Sequence, residues 1–409
     1  MENNKKNILV IGKGAVASAF AKKIAKVDSV GNVYVAPGNS VKSEYYTNVD
    51  IREDDLTGLL KFALENDIYL TVPVSFEALK SDVVSFFMDN DQNVFGPTKG
   101  ACNIALNKAI GKKFLYKIHA QTSKFGTFDK QNVAQDWLKT ATFPVVIRSS
   151  EKSSQGDRLV CPTISLAEQF LDNLFSRGET GVLIEEYTYG HNFTVYFMTD
   201  GYSAIPFATV GNYKFMEDGD GGLLTEGVGC YSPDYKVSQV IISRVENVVR
   251  NTLVSLDKKG EPYVGILGVD CTLTGEDKFF VNEFKPFMQD FDATAVLNLI
   301  EENFVDVFVA CIQGLFADEY EEIKSNEIYS VSALVSARQS GKQIKGLDLI
   351  DDIENVDFIT GDGKSTIQGE NFVLTRCAST LSRAKNRLYE DLSEIYFDGI
   401  KYRKDICQN

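Results

Sequence analysis

Short apolar runs alternate with amphipathic segments through the first hundred residues of the chain. The run NILVIG at 7–12 precedes a helix-periodic segment, NVYVAPG at 32–38 follows it, and IYLTVPV at 68–74 comes after a second such segment. Short apolar runs that are separated by helices are typical of βαβ units. The pattern therefore predicts an N-terminal doubly wound α/β domain over residues 1–104, with a parallel sheet and helices on its faces.

The rest of the chain mixes strands and helices in a different order. A predicted helix at 105–120 is followed by the strand pair FPVVIRSS at 143–150 and GDRLVCP at 156–162, and then by the strand GVLIEEYTYG at 181–190. Longer strands and one long helix continue to about 320, and short strands with one helix fill 328–409. We therefore expect a second domain over 105–320, with a lid subdomain at about 122–192, and a C-terminal domain over 328–409.

The segment GKGAVA at 12–17 has the spacing of a Gly-rich dinucleotide-binding turn. Its last position is Ala17 rather than glycine, and no acidic residue follows the second predicted strand. A match of this kind is weak by itself, and a tight strand-to-helix turn is the more frequent interpretation.

Composition and charge narrow the class of protein. The 409 residues carry a net charge of −15, which argues against nucleic acid as the main partner because phosphate neutralisation needs an excess of Lys and Arg. No apolar run is long enough for a membrane-spanning helix, and the N-terminus lacks a signal-peptide pattern, so we expect a cytoplasmic protein. The seven cysteines never form C-x-x-C and only two histidines occur, which predicts reduced thiols and no zinc site.

The segment FFVNEFKPFMQD at 279–290 is the first candidate for chemistry. An apolar strand delivers the carboxylate of Glu283 and, two residues later, the ammonium group of Lys285. One interpretation is an exposed ion pair, which contributes little to stability. The other is a metal–nucleotide site in which one of the usual ligands has been replaced.

Other segments decide between these interpretations, and they lie along nearly the whole chain. They are YVAPGN at 34–39, FGPTK at 95–99, NKAIGKKF at 107–114, VLIEEY at 182–187, DGDGG at 218–222, TEGVGCYSP at 225–233, FVNEF at 280–284 and IYFDGIKYRKDI at 395–406. In this order they resemble glycinamide ribonucleotide synthetases (phosphoribosylamine–glycine ligases) of purine synthesis. The resemblance implies an ATP-grasp fold with a small C-terminal α/β domain.

The resemblance also implies the reaction and its cofactors. ATP, with Mg²⁺ or Mn²⁺, would phosphorylate the carboxylate of glycine, and the amine of phosphoribosylamine would attack the acyl phosphate. Phosphoryl transfer depends on positioning and charge neutralisation, so cations and carboxylate-held metal should converge on the phosphates. The implied partners are small-molecule substrates, and the implied assembly is a monomer or a homodimer.

Seven residues are implied to contact the nucleotide. They are Lys108, Arg148, Gly156, Glu185, Glu186, Tyr187 and Asn192. Lys108 and Arg148 are expected at the phosphates, and the backbone near Tyr187 at the adenine edge. Because strand side chains alternate, we expect one of Glu185 and Glu186 to face the nucleotide. Gly156 is the remaining glycine of the loop at 149–159, which occupies the position of a Gly-rich flap.

Asp270 and Glu283 are the implied magnesium ligands, because Mg²⁺ prefers carboxylate oxygens. The Glu-x-Asn pattern of the family reads Glu283-Phe284-Lys285 in this chain, so an ammonium group replaces an oxygen ligand. Asn282 is expected on the opposite face of the strand.

Three residues are the catalytic candidates: Lys285, Asp290 and Lys214. Lys285 is predicted to take the place of one bound cation, contacting phosphate directly and pairing with Glu283 or Asp290. Lys214 is the one residue that survives from a charged run of the family, which reads 211–215 here.

Charged groups of the family are replaced by apolar ones at the substrate end, including Val16, Val74, Phe215 and Phe287. Three functions therefore stay open. The chain is a divergent enzyme of this family, an ATP-grasp ligase for a different acid and amine, or a non-catalytic nucleotide-binding protein, since function lies in the site rather than in the fold.

Overall fold

The computed structural model describes residues 5–151, 158–350 and 355–408, and it begins with a parallel sheet. Its strands, in the order β3-β2-β1-β4, are β1 at Lys6–Gly12, β2 at Val30–Pro37, β3 at Thr47–Asn48 and β4 at Ile68–Pro73. The accompanying helices are α1 at Gly14–Ala25, α2 at Leu56–Glu65, α3 at Phe76–Lys80, α4 at Val83–Met88 and α5 at Lys99–Leu106. All three strand pairs are parallel, which confirms the predicted α/β pattern.

The helix predicted at 105–120 is interrupted at Asn107. Here α5 ends and α6 begins, at Lys108–Lys117, because the extended Asn107 caps the new helix by accepting a hydrogen bond from the Ile110 N–H at 3.0 Å. The periodicity alone did not mark this break. It puts Lys108 in the first turn of α6, where its backbone N–H donates to the Ser150 carbonyl at 2.7 Å.

A second, antiparallel sheet lies within the predicted lid range. Its strands, in the order β5-β8-β6-β7, are β5 at Phe125–Phe128, β6 at Val145–Ser149, β7 at Arg158–Cys161 and β8 at Val182–Glu186. Two helices, α7 at Gln131–Leu138 and α8 at Ile164–Ser176, pack on it around a separate hydrophobic core. We call this unit the lid sheet.

The largest sheet in the described part of the chain has nine strands. They are β9 at His191–Gly201, β10 at Ala204–Glu217, β11 at Gly221–Ser232, β12 at Tyr263–Gly275, β13 at Lys278–Lys285, β14 at Tyr329–Ala337, β15 at Val356–Phe358, β16 at Gly369–Ala378 and β17 at Ile400–Lys401. The order is β13-β12-β9-β10-β11-β14-β16-β15, and β17 also pairs with β14. The C-terminal strands therefore continue this central sheet through the β11–β14 pair, rather than forming a sheet of their own.

Helices cover both faces of the central sheet. They are α9 at Gln239–Asp257, α10 at Asp290–Val296, α11 at Phe304–Gln313, α12 at Phe316–Glu319 and α13 at Leu381–Glu394. One core joins the N-terminal sheet to α10 and α11, and another lies between α9 and strands β9, β12 and β13. None of the helices in the described ranges has the length and apolarity that crossing a membrane requires.

The GKGA turn is a tight connection between β1 and α1. Gly14 has φ +75°, a conformation that glycine adopts without strain. The carboxylate of Asp290, at the start of α10, accepts a hydrogen bond from the Val16 N–H at 2.7 Å. An acidic side chain of the chain itself therefore occupies the amino end of α1.

A β-bulge in β13 changes which side chains face the site. Asp270 of β12 pairs with Glu283, but the next residue, Cys271, pairs with Val281, so Asn282 is the extra residue. Val281 is buried in the core beneath α9, whereas Asn282 and Glu283 both reach the opposite side. The prediction that Asn282 faces away from Glu283 is wrong, because the alternation on which it rested is interrupted by the bulge.

Candidate active site

A cavity of about 60 Å³ lies between the lid sheet and the central sheet. The lid sheet contributes Val146, Arg148, Arg158, Glu185 and Glu186, and Tyr187 and Thr188 follow it; the central sheet contributes Asn192, Lys214, Phe215, Leu224, Thr225, Glu226, Thr272, Asn282 and Glu283. Arg158 and Glu226 form an ion pair of 2.7 Å that joins the two sheets. Most of the predicted nucleotide-binding residues therefore meet at one cavity.

Arg148, Glu185 and Glu283 line this cavity, and two buried lysines extend the alternation of cations and carboxylates. Arg148 donates from Nη1 to Glu283 Oε2 at 2.8 Å and from Nη2 to Glu185 Oε1 at 2.5 Å. Lys108 Nζ contacts Glu283 Oε2 at 2.9 Å, and Lys112 Nζ contacts Glu185 Oε2 at 2.8 Å. These five side chains, Lys108, Lys112, Arg148, Glu185 and Glu283, are called the phosphate cluster below.

Burial and the neighbouring positive charges shift the pKa values of the two carboxyl groups in opposite directions. Burial by itself would raise the pKa of Glu185, but Lys112 and Arg148 outweigh it and lower the pKa to about 2. Burial is likewise outweighed at Glu283, where Lys108 and Arg148 hold the pKa well below its ordinary value. Both carboxylates are therefore ionised at neutral pH, and their negative charge balances the cations.

A second buried network lies around Asp270, which has no exposed surface. Asp270 Oδ1 accepts from Lys214 Nζ at 2.6 Å and from Asn282 Nδ2 at 2.8 Å. Its Oδ2 lies 3.5 Å from Lys285 Nζ. Two ammonium groups thus neutralise the deeper of the two implied magnesium ligands.

Lys285 does not make the contacts that the sequence predicted. Its side chain is buried, and Nζ lies 3.2 Å from Asp292 Oδ2 and 3.2 Å from Thr194 Oγ1. Pairing with Glu283 or Asp290 is wrong: Glu283 turns toward Lys108, and Asp290 bonds to α1. Burial would lower the pKa of Lys285, but the charge of Asp292 and the neighbouring acidic groups raise it, so the ammonium form persists.

The remaining predicted residues lie around the same cavity. Glu186 points away from Glu185 and pairs with Lys124 at 3.3 Å, as alternation requires. The Tyr187 N–H donates to the Pro144 carbonyl at 2.9 Å, so this donor is already used within the protein. Asn192 Oδ1 accepts from the Thr272 hydroxyl at 3.2 Å. Gly156 lies outside the described residues.

Sequence reasoning missed several members of these networks. Lys112 lies four residues after Lys108, a helical spacing that could have identified it. Asp292 accepts from Tyr196 Oη at 2.5 Å and from Asn212 Nδ2 at 2.7 Å. These partners come from strands far away in sequence, and no local pattern marks them.

The low pKa of Glu185 predicts how stability depends on pH. A carboxyl whose pKa is lowered by folding stabilises the protein above its unfolded pKa, and this stabilisation is lost as the pH falls through the folded value. A change from 4.5 to about 2 corresponds to about 3 kcal/mol. We expect Glu185→Gln to remove this part of the pH dependence between about pH 4.5 and 2, measured by urea unfolding.

The neighbouring Glu186→Gln is the matched control, because Glu186 lies at the outer side of the same strand. Burial would raise the pKa of Glu186, but the Thr142 N–H and Lys124 outweigh it and lower that pKa, so the control should lose a smaller part of the pH slope than Glu185→Gln. Equal slopes for Glu185→Gln and the unsubstituted protein would contradict the prediction.

Comparison with known proteins identifies the family. The model of the phosphoribosylglycinamide synthetase N domain matches residues 6–105, and that of the ATP-grasp (A) domain of the same synthetase matches 106–293. The chain belongs to the phosphoribosylglycinamide synthetase family. The phosphate cluster lies wholly within the matched ATP-grasp domain.

Relatives in this family match over their full length. The chain is 29% identical to a phosphoribosylamine–glycine ligase of Clostridium acetobutylicum, over 98% of this chain and 99% of the relative. It is 27% identical to the ligase of the same name from Caldanaerobacter subterraneus subsp. tengcongensis, over 98% and 99%.

Solved structures share the fold. The crystal structure of the phosphoribosylamine–glycine ligase of Thermotoga maritima superposes with a TM-score of 0.81 at 22% identity, over 98% of this chain and 100% of that one. A biotin carboxylase of Campylobacter jejuni superposes with a TM-score of 0.71 at 14% identity, over 98% and 93%. The predicted ATP-grasp fold is confirmed.

Proposed function

We propose that this chain is an ATP-dependent ligase that joins the carboxylate of glycine to the amine of phosphoribosylamine through an acyl phosphate. The phosphate cluster carries the proposal: Arg148, Glu185 and Glu283 line a cavity between the lid sheet and the central sheet, and Lys108 and Lys112 contact these two carboxylates. The names of the full-length relatives support the choice of substrates.

The residues have simple roles in this reaction. The cations of the phosphate cluster would neutralise the phosphate oxygens of ATP, and phosphoryl transfer needs mainly such positioning and neutralisation. Glu185 and Glu283 hold the three cations in place before the nucleotide binds. Lys214, which lines the same cavity and pairs with Asp270 at 2.6 Å, would contact the transferred phosphoryl group. No covalent nucleophile of the protein is required.

One magnesium ion fits the side chains of this chain better than two. No group of three or more His, Cys, Asp or Glu side chains in the described ranges is arranged to hold a metal. Glu283 and Asn282 both line the cavity, and the amide of Asn282 must direct its NH₂ to Asp270, because a carboxylate only accepts. We infer that Glu283 and the Asn282 carbonyl oxygen would hold Mg²⁺, which would supply charge to the phosphates.

A second candidate is a ligase for a different acid and amine. Residues at the positions where the family carries charged substrate-binding groups are buried and apolar: Val16, Val74, Phe215 and Phe287 are at most 8% exposed. An apolar wall cannot bind a phosphate or a carboxylate, so these positions favour altered substrate recognition.

The experiment that tests the proposal is an ADP-release assay with a panel of amino acids, with and without phosphoribosylamine. We expect release that depends on both glycine and phosphoribosylamine. Release with another pair would select the second candidate, and no release with any pair would overturn the ligase proposal. Repeating the assay across magnesium concentrations with Asn282→Leu tests the metal ligand, since this variant should need more Mg²⁺ for half-maximal release and for nucleotide binding.

We also infer a cytoplasmic location, because ATP is the proposed substrate and all seven cysteines are free thiols. Cell fractionation tests this inference directly.

A further inference from the structure

The cavity between the lid sheet and the central sheet, where the nucleotide is proposed to bind, is called the nucleotide cavity below. A larger, separate cavity lies where β11 and β17 meet β14. Its volume is about 360 Å³, which is within the range of about 300–1,000 Å³ that small-molecule sites occupy. It is lined by Met216, Glu217, Asp218, Val228, Leu334, Ser336, Arg338, Ile400, Lys401, Tyr402, Arg403 and Lys404. None of these residues lines the nucleotide cavity.

The floor of this cavity is apolar and its rim is basic. Val228 and Leu334 are buried members of the core beneath the N-terminal sheet, and Met216 packs against that core. Four of the lining residues are cationic and two are acidic, although the whole chain has a net charge of −15. A local excess of positive charge in an acidic protein points to an anionic ligand.

Three of the four cations are available to such a ligand. Arg403 is occupied, since it bonds to Asp405, Asp220 and the Phe215 carbonyl. Among the described residues, no carboxylate lies within ion-pair distance of Arg338, Lys401 or Lys404.

The strand register brings two of these cations to one face. Ser336 of β14 pairs with Lys401 of β17, and directly opposite residues of paired strands share a face. Arg338 follows the last residue of β14, and its side chain lines the same cavity as Ser336 and Lys401. The Ser336 hydroxyl, between them, donates to the Lys401 carbonyl at 3.3 Å.

The two cavities adjoin along the β10–β11 hairpin. Lys214 and Phe215 line the nucleotide cavity, and the next residues, Met216 and Glu217, line the larger cavity. On β11, Glu226 lines the nucleotide cavity and Val228 lines the larger cavity. A substrate held in the larger cavity thus lies beside the proposed site of phosphoryl transfer.

We propose that the larger cavity binds the phosphate group of a sugar phosphate monoester through Arg338 and Lys401. Resting on the proposed ligase function, this inference names where the non-reacting anionic group of that substrate is held. The apolar floor would contact the carbon skeleton, and the free end of the substrate would extend toward Lys214.

The test is calorimetric titration of the nucleotide-free protein with three probes: ribose 5-phosphate, glycine and unphosphorylated ribose. The double variant Arg338→Gln/Lys401→Gln removes both proposed contacts from exposed positions. The control Lys364→Gln removes one exposed charge of the same C-terminal region outside the cavity. A non-hydrolysable ATP analogue is titrated separately into each protein.

We expect ribose 5-phosphate, but not ribose, to bind, and the double variant to weaken that binding by about tenfold or more, as the loss of charge-assisted hydrogen bonds predicts. Any binding of glycine, whose carboxylate is the reacting group, should be equal in the double variant and in the unsubstituted protein. Lys364→Gln should bind like the unsubstituted protein.

The proposal is overturned if ribose 5-phosphate does not bind, if ribose binds as tightly, if the double variant binds ribose 5-phosphate as tightly as the unsubstituted protein does, or if the double variant weakens glycine binding instead. Failure of the ATP analogue to bind any of the proteins would instead contradict the proposed ligase function. The anion titrations contain no nucleotide, so the two failures are distinguishable.

Discussion

Replacing Lys285 by Asn should make the stability of the protein depend on magnesium. The ammonium group of Lys285 lies between the carboxylates of Asp270 and Asp292, and all three side chains are buried. Removing one partner of a buried ion pair costs about 3–5 kcal/mol, because the remaining charges stay desolvated. The Asn oxygen would join the carboxylate of Asp292, which loses its ammonium partner, and that of Asp270, which keeps Lys214; such hard oxygens suit Mg²⁺.

The measurement is thermal unfolding over a range of magnesium concentrations, without nucleotide. We expect Lys285→Asn to be strongly destabilised in the absence of Mg²⁺ and to regain part of the loss at millimolar Mg²⁺. The unsubstituted protein should show no such response, because Lys285 already supplies the positive charge.

Two variants serve as controls. Lys258→Asn makes the same substitution at an exposed position after α9 and should change neither stability nor magnesium response. Lys285→Arg keeps the charge and should stay independent of magnesium. Unfolding curves of Lys285→Asn that coincide with and without Mg²⁺ would show that Asp270 and Asp292 do not form a cation site.

Replacing Arg148 by Ala should weaken nucleotide binding. Its guanidinium joins Glu185 of the lid sheet to Glu283 of the central sheet, and Nε, also buried, has no hydrogen-bond partner among the described residues. The lost charge-assisted phosphate contact is expected to cost about 1.5–3 kcal/mol of affinity, measured by calorimetry with an ATP analogue.

The conservative variant separates charge from geometry at this position. Arg148→Lys keeps one positive charge but cannot bond to both carboxylates, so it should recover part of the affinity. Arg383→Ala, at an exposed position of α13, is the surface control. If Arg148→Ala binds the ATP analogue as tightly as the control does, Arg148 is not part of the phosphate site.

Local patterns predicted most of the secondary structure and several members of the site. The apolar runs of β1, β2 and β4 identified a parallel sheet, because a strand buried on both faces must be apolar throughout. The strand β6 identified Arg148, and the helix containing Lys108 was recognised from its own segment. These features depend on neighbours in sequence, which is why the sequence was enough.

The sequence also indicated that position 285 was unusual, since a lysine replaces the asparagine of the family pattern. It did not indicate the partners of that lysine. Asp270, Thr194 and Asp292 come from β12, β9 and α10, and only the pairing of those strands and the docking of α10 bring them together.

The bulge in β13 and the cavity beside β17 were likewise decided by the tertiary structure. An extra residue leaves no mark in the alternation of apolar and polar positions, so Asn282 was assigned to the wrong face. Arg338 and Lys401 are 63 positions apart and become neighbours only through the β14–β17 pair. Sequence determined the elements because local hydrophobic patterning specifies them, whereas the charged sites depend on contacts between distant segments, which only the folded chain establishes.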